Sequence, residues 1–355
     1  MSSVDTNNII FAGFFSGFWY RLSNWMASNS SGSKSSKSEI VAEMSSVNNI
    51  IEAAGARMMC CASCGKSEVD DIKLKKCDAC DLVRYCGDTC KEDHRQEHAE
   101  KCKERAAILF RQPEGSCDGD CPICFLPLIF GESTLHSCCC KTVCDGCAYA
   151  YASLQRRENM KPSCPFCRHP PPKTEEEHEK NLMKRVEAND PVALRHMGWR
   201  HLQKAEYDAA REEEEYGAAF EYWTRAADLG DAEAHYQLAI MYQDGEYVEN
   251  DVEKEMYHMV EAAIRGHPYA RFMLAFTEGY HEGNIERAVK HFIIAAKLGD
   301  DDSIQELKKY YEDGLVSKED FAAALRAHHA AVEATKSPQR EAAAAEKAEN
   351  TNIFL

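Results

Sequence analysis

All eighteen cysteines of the chain fall within residues 60–167. The first series reads Cys61-x2-Cys64, Cys77-x2-Cys80, Cys86-x3-Cys90 and His98-x3-Cys102. The second reads Cys121-x2-Cys124, the triplet Cys138-Cys139-Cys140, Cys144-x2-Cys147 and Cys164-x2-Cys167. A gap of two residues lets both sulfurs reach one ion at about 2.3 Å, which is zinc chemistry. Such pairing, beside a long cysteine-free half, argues against a secreted disulfide scaffold. Metal thiolates imply a reducing compartment, so cytoplasmic residence is expected, with the nucleus as the alternative.

The elements around these residues follow from their spacing. His98 and Cys102 lie one helical turn apart and therefore share a face, and Lys91 to Arg105 is polar and rich in helix formers. Residues 61–102 resemble the MYND zinc finger over their whole length, including Arg84-Tyr85-Cys86 and the closing His98-x3-Cys102. The resemblance implies alternating use of the pairs: one zinc on Cys61, Cys64, Cys86 and Cys90, and another on Cys77, Cys80, His98 and Cys102. It also implies binding of short proline-containing peptides. The tryptophan that the family often carries before the histidine is replaced here by His94, which reads as an exposed polar residue. Cys60 is an extra thiol, Glu104 to Gln112 is a short link broken by Pro113 and Gly115, and Cys117 is a spare cysteine.

Residues 121–168 resemble a RING finger. In that family's cross-braced pattern, Cys121, Cys124, Cys144 and Cys147 would hold one zinc. Cys164, Cys167 and two of the triplet would hold the other, with Cys138 and Cys140 the first choice and Cys139 next. The usual histidine is missing, Lys141 stands near its place, and His136 is a weak substitute, so this is an all-cysteine version. The resemblance further implies a surface for a ubiquitin-conjugating enzyme at Ile123, Pro165 and Arg168. The helix expected over Ala148–Glu158 lacks a tryptophan found in many active members.

After the spacer Pro170-Pro-Pro172, the second half repeats. Asn189-Asp-Pro-Val-Ala, Gly230-Asp-Ala-Glu-Ala, Gly266-His-Pro-Tyr-Ala and Gly299-Asp-Asp-Asp-Ser align at gaps of 41, 36 and 33 residues, the first lengthened by the charged insert Arg211–Glu215. The pairs Ala226-Ala227, Ala262-Ala263 and Ala295-Ala296 precede the last three, where small side chains let helices approach. A glycine then stops each helix, and an aspartate or proline starts the next. A period near 35 with two helices is that of a tetratricopeptide-class solenoid. The Leu-Gly-Asp-Ala-Glu-Ala wording, with Gly245 and Lys254, resembles Sel-like repeats specifically. The expected fold is thus small zinc-stabilised fingers followed by an all-α two-helix-repeat solenoid. Its parts are a disordered or targeting-like extension 1–59, a MYND-type finger 60–103, a RING-type finger 117–169, repeats 175–332 capped by Phe321 to Val332, and a flexible tail 333–355.

Charge narrows the partners. From Thr174 onward there are 38 acids against 21 bases, and residues 1–173 have 21 of each, so the formal charge of −17 belongs to the second half. No basic patch marks a nucleic-acid footprint, and the acidic half reads as a solvated helical surface. Residues 9–20 form an apolar run too short to span a bilayer, preceded by Asp5 rather than a basic residue, so a membrane role is not expected. Met1-Ser-Ser-Val and Asn7-Asn-Ile-Ile resemble Met44–Ile51, which marks Met44 as an alternative start. No nucleophile, base and orienter constellation occurs, and each zinc set has four protein donors, leaving no open position for hydrolysis. The expectation is a zinc-binding interaction adaptor holding four Zn²⁺, with ubiquitin-ligase activity through the second finger. The alternative is a non-catalytic scaffold for protein partners.

Overall fold

The computed structural model describes residues 61–66, 74–77, 83–129, 131–207, 211–245 and 247–352. The expected N-terminal extension with its apolar run, the alternative start at Met44, Cys60 and the ligand candidate Cys80 lie outside those residues.

The first finger is built from two short strands, β1 (Lys75–Lys76) and β2 (Arg84–Tyr85), paired antiparallel, followed by helices α1 (Asp88–Asp93) and α2 (Arg95–Leu109). Its small core is Cys61, Cys77 and Tyr85. The sequence suggests one helix over Lys91–Arg105. The structure breaks it at His94 and carries α2 on to Leu109, so most of the supposed link Glu104–Gln112 is helix.

The second finger is the hairpin β3 (Ser133–His136) and β4 (Lys141–Cys144), then helix α3 (Asp145–Arg157). Cys144 ends the hairpin and caps α3, its Sγ accepting from the Cys147 amide at 3.4 Å. One residue therefore serves the strand, the cap and the thiol cluster.

Repeat helices follow: α4 (Glu175–Glu187), α5 (Pro191–Tyr207), α6 (Glu212–Asp228), α7 (Ala232–Asp244), α8 (Val252–Ile264), α9 (Pro268–Phe276), α10 (Ile285–Lys297), α11 (Asp301–Glu312) and α12 (Lys318–Ala334). The repeat punctuation works as its chemistry demands. Gly230, Gly266 and Gly299 sit at φ of 87°, 88° and 93°, and Asn189 takes the same place at 53°. Asp231, His267 and Asp300 then cap the next helices by accepting from the amides of Ala234, Ala270 and Ser303. The three alanine pairs are buried at the helix seams. The charged insert is largely helical: Glu212–Glu215 form the first turn of α6, where carboxylates face the positive end of the helix dipole.

The segment after α2 docks on the repeats. Leu109 is buried and Phe110 packs against His291, with centroids 4.8 Å apart. The Cys117 amide donates to Gly266 O at 3.2 Å, and Asp118 reaches Arg195 at 3.5 Å. The supposed flexible tail contains α13 (Pro338–Asn352), which lies along α3. Its Ala/Lys/Glu-rich composition favours helix, and packing on the second finger supplies the partner that such a helix otherwise lacks. Among the described residues no helix is long and apolar enough to cross a membrane.

Candidate metal centres

Among the described residues, four groups of thiol and imidazole side chains come together, each with its ligand atoms within 4.8 Å of one another. In the first finger these are Cys61, Cys64, Cys86 and Cys90, and separately Cys77, His98 and Cys102. The loop after Cys61 and the start of α1 supply the first group. The second is completed from one face of α2, as the three-residue gap requires. Closest sulfur separations are 3.5 Å for Cys86–Cys90 and 3.6 Å for both Cys64–Cys86 and Cys77–Cys102. A disulfide would hold sulfurs at about 2.05 Å. Two corners of a tetrahedron with bonds of about 2.3 Å lie about 3.8 Å apart, so these separations fit a shared zinc ion.

At Cys61 and Cys121 backbone amides favour the thiolate. Burial works to raise the Cys61 thiol, but backbone amides of Cys64, Cys86 and Ser63 outweigh it and bring the group down to about 6. In the second finger, Cys121 repeats the pattern: burial opposes ionisation, and the amides of Cys124, Cys144 and Ile123 bring it down to about 7. His98 is held below the ordinary imidazole range by burial, then by the charges of His94 and Lys101, which keeps it in the neutral form that ligates. His94 is not simply exposed. Its Nδ1 lies 3.0 Å from the Tyr85 hydroxyl, and its ring stacks on His98 at 5.6 Å.

The second finger forms two groups: Cys121, Cys124, Cys144 and Cys147, then Cys138, Cys139, Cys164 and Cys167. First and third pairs converge, as do second and fourth, which is cross-braced use of the chain. Separations are 3.8 Å for Cys124–Cys144, 3.3 Å for Cys138–Cys167 and 3.7 Å for Cys139–Cys164.

The choice of Cys140 is corrected: Cys139 takes its place. The β3–β4 turn puts Cys140 at φ 51°, and its side chain enters the repeat core beside Leu182 and Val186. Burial and the nearby Asp190 push its thiol up to about 11, despite Arg185, so it stays protonated and inert. His136 joins no group, and its buried Nε2 has no partner among the described residues. The spare Cys117 is also buried, in the seam against the repeats, where its thiol is raised first by desolvation and then by Asp118.

Of the three expected contact residues, Ile123 is 40% exposed, Pro165 is half-buried, and Arg168 is exposed at φ 59°. The Arg168 guanidinium donates to the Tyr151 hydroxyl and sits 5.6 Å from that ring's centroid, so it is tied back to α3. Exposed Phe125 and Phe166 add apolar surface in the same finger, which the spacing of zinc ligands did not signal.

The comparisons with known proteins agree with part of this picture. Residues 61–102 match the MYND finger family, and residues 210–231, 232–267 and 268–300 match the Sel1 repeat. Among solved structures, a Sel1 repeat protein from Oxalobacter formigenes is 25% identical, covering 53% of this chain and 73% of that one at a TM-score of 0.39. A protective antigen of uropathogenic Escherichia coli displaying an SLR fold is 28% identical, covering 44% and 33% at a TM-score of 0.35. No curated protein matches the chain significantly. The chain therefore carries a MYND zinc finger followed by a helical Sel1-repeat solenoid. These modules define a zinc-binding protein-interaction adaptor; neither family match covers the second finger.

Proposed function

We propose that this adaptor holds four structural zinc ions, two in each finger, and presents protein partners with a composite surface of fingers and acidic repeats. The observation that supports it is the gathering of fifteen cysteine and histidine side chains into four compact groups. Cys80, which lies outside the described residues, is the fourth donor that the MYND pattern assigns to Cys77, His98 and Cys102. Four protein donors per ion saturate tetrahedral zinc, so its role is to hold the fold. Native mass spectrometry of freshly purified protein should show four zinc ions; two or fewer would sink the assignment.

A second reading adds ubiquitin transfer. Cross-braced grouping and the exposure of Ile123 favour it. The protein would then act by positioning a conjugating enzyme and a target together, without acid–base chemistry of its own. Ile123→Ala should weaken enzyme docking by roughly 1–3 kcal/mol, while Arg168→Ala should chiefly slow transfer. Purified protein with a broad panel of conjugating enzymes decides the matter. Absence of self-ubiquitination throughout leaves the chain a scaffold for proteins, with no nucleic-acid or membrane partner called for.

A further inference from the structure

Helix α13 approaches the second finger at its first thiol group. A Cβ added to Gly146, in the first turn of α3, would lie 2.6 Å from Arg340 N and 2.8 Å from Arg340 Cα. Backbone thus meets backbone there, and only glycine admits it. Arg340 Nη2 donates to Leu126 O at 3.3 Å and stands 4.0 Å from Cys124 Sγ. Its Nε and Nη1 are buried with no hydrogen-bond partner among the described residues. Flanking pairs hold the helix in register: Lys347 with Asp145 at 2.5 Å, and Arg156 with Glu346 at 4.0 Å.

A partly buried guanidinium with two unfilled donors is costly unless a counter-charge faces it. Neutral thiols supply none. Four thiolates around one zinc ion carry a net double negative charge, and arginine is the side chain best suited to meet it. Resting on the zinc reading of Cys121, Cys124, Cys144 and Cys147, we propose that Arg340 is the outer-sphere counter-charge of that site. The C-terminal helix therefore seats on the second finger only when the site holds zinc. It is a latch that reports metal loading and, once released, bares the face of α3.

Hydrogen exchange of the full chain, read at residues 338–352, tests this together with zinc release to a chromogenic chelator. In zinc-loaded protein the segment should be protected, and chelation should expose it. Arg340→Met should speed exchange there and weaken retention of one zinc by about 10- to 100-fold, the usual effect of an outer-sphere partner. Arg340→Lys should recover part of both effects, which a purely steric role would not. Gly146→Ala should release the helix with every thiol and Arg340 intact. Four bound ions with a helix that stays protected after chelation, or an Arg340→Met variant that behaves like the parent, overturns the latch alone. A parent protein with at most two ions overturns the zinc reading and the latch with it.

Discussion

In the turn Ser137–Cys140, consecutive sulfurs serve different purposes. Cys139 faces Cys164, and Cys140 fills space among repeat side chains. Cys139→Ala should therefore remove one zinc from the native mass spectrum. Cys140→Ala should keep all the zinc and cost about 1 kcal/mol of stability through lost packing. The reverse pattern would restore Cys140 as the ligand. A second residue-scale prediction concerns His235 and His258, whose Nδ1 atoms lie 2.9 Å apart. They can share one proton but not hold two facing each other. Burial, then Arg265, holds His235 down to about 4; burial, then His235, holds His258 down to about 3. An unfolded imidazole titrates near pH about 6.5, so the unfolded chain takes up protons that the folded chain refuses. Their stabilisation is complete above about pH 6.5 and is lost as pH falls toward 4. Melting temperatures from pH 7.5 down to pH 5, at about those values, should decline, and His258→Gln should flatten the decline. An equally steep curve for the variant would refute the assignment.

At the scale of elements, α2 is fastened to the solenoid by its last turn. Fully buried Arg271 donates to Leu109 O and, at 2.7 Å, to Ala263 O, and lies 3.1 Å from His291 Nδ1. Phe110 is roofed by Arg287 and Lys290, at 5.3 and 5.4 Å from its centroid. Arg84 pairs with Glu253 and Arg105 with Glu261 along the same contact. Replacing Arg271 by Leu would leave two buried carbonyls without that donor and should cost about 2–5 kcal/mol. Chemical denaturation should show the loss together with faster proteolysis between the fingers. A variant as stable as the parent would mean that the contact contributes little.

At the scale of the whole molecule, fingers and repeats share cores. The sequence favours a metal-indifferent solenoid, since its helices pack by apolar contacts. Yet Leu109 and Cys140 are buried against repeat helices, and α13 leaves the solenoid to lie on α3. A fragment of residues 174–355 should remain helical by circular dichroism with or without chelator. It should melt below the full chain, because loss of the buried Leu109 alone removes about 1.5–3 kcal/mol. Equal melting temperatures would show that the fingers are passengers.

Thiol spacing and repeat punctuation were legible in the sequence because both are local. A two-residue gap brings two sulfurs to one ion, and a left-handed residue followed by a capping side chain ends one helix and begins the next, wherever the rest of the chain lies. The same reasoning could not choose between Cys139 and Cys140, whose spacing is equivalent. The turn's dihedrals and a core more than forty residues away made that choice. Nor could it foresee that Leu109, Phe110 and Arg340 face partners far along the chain, because side chains on a short link and a polar tail carry no periodic signal. Burial of Leu109, clamping of Phe110 and the fit of Arg340 against Gly146 exist only once distant segments meet. The sequence by itself determined the thiol pairs, the repeat period and the acidic surface; the tertiary structure decided which sulfur joins which cluster and that the fingers and solenoid are packed together.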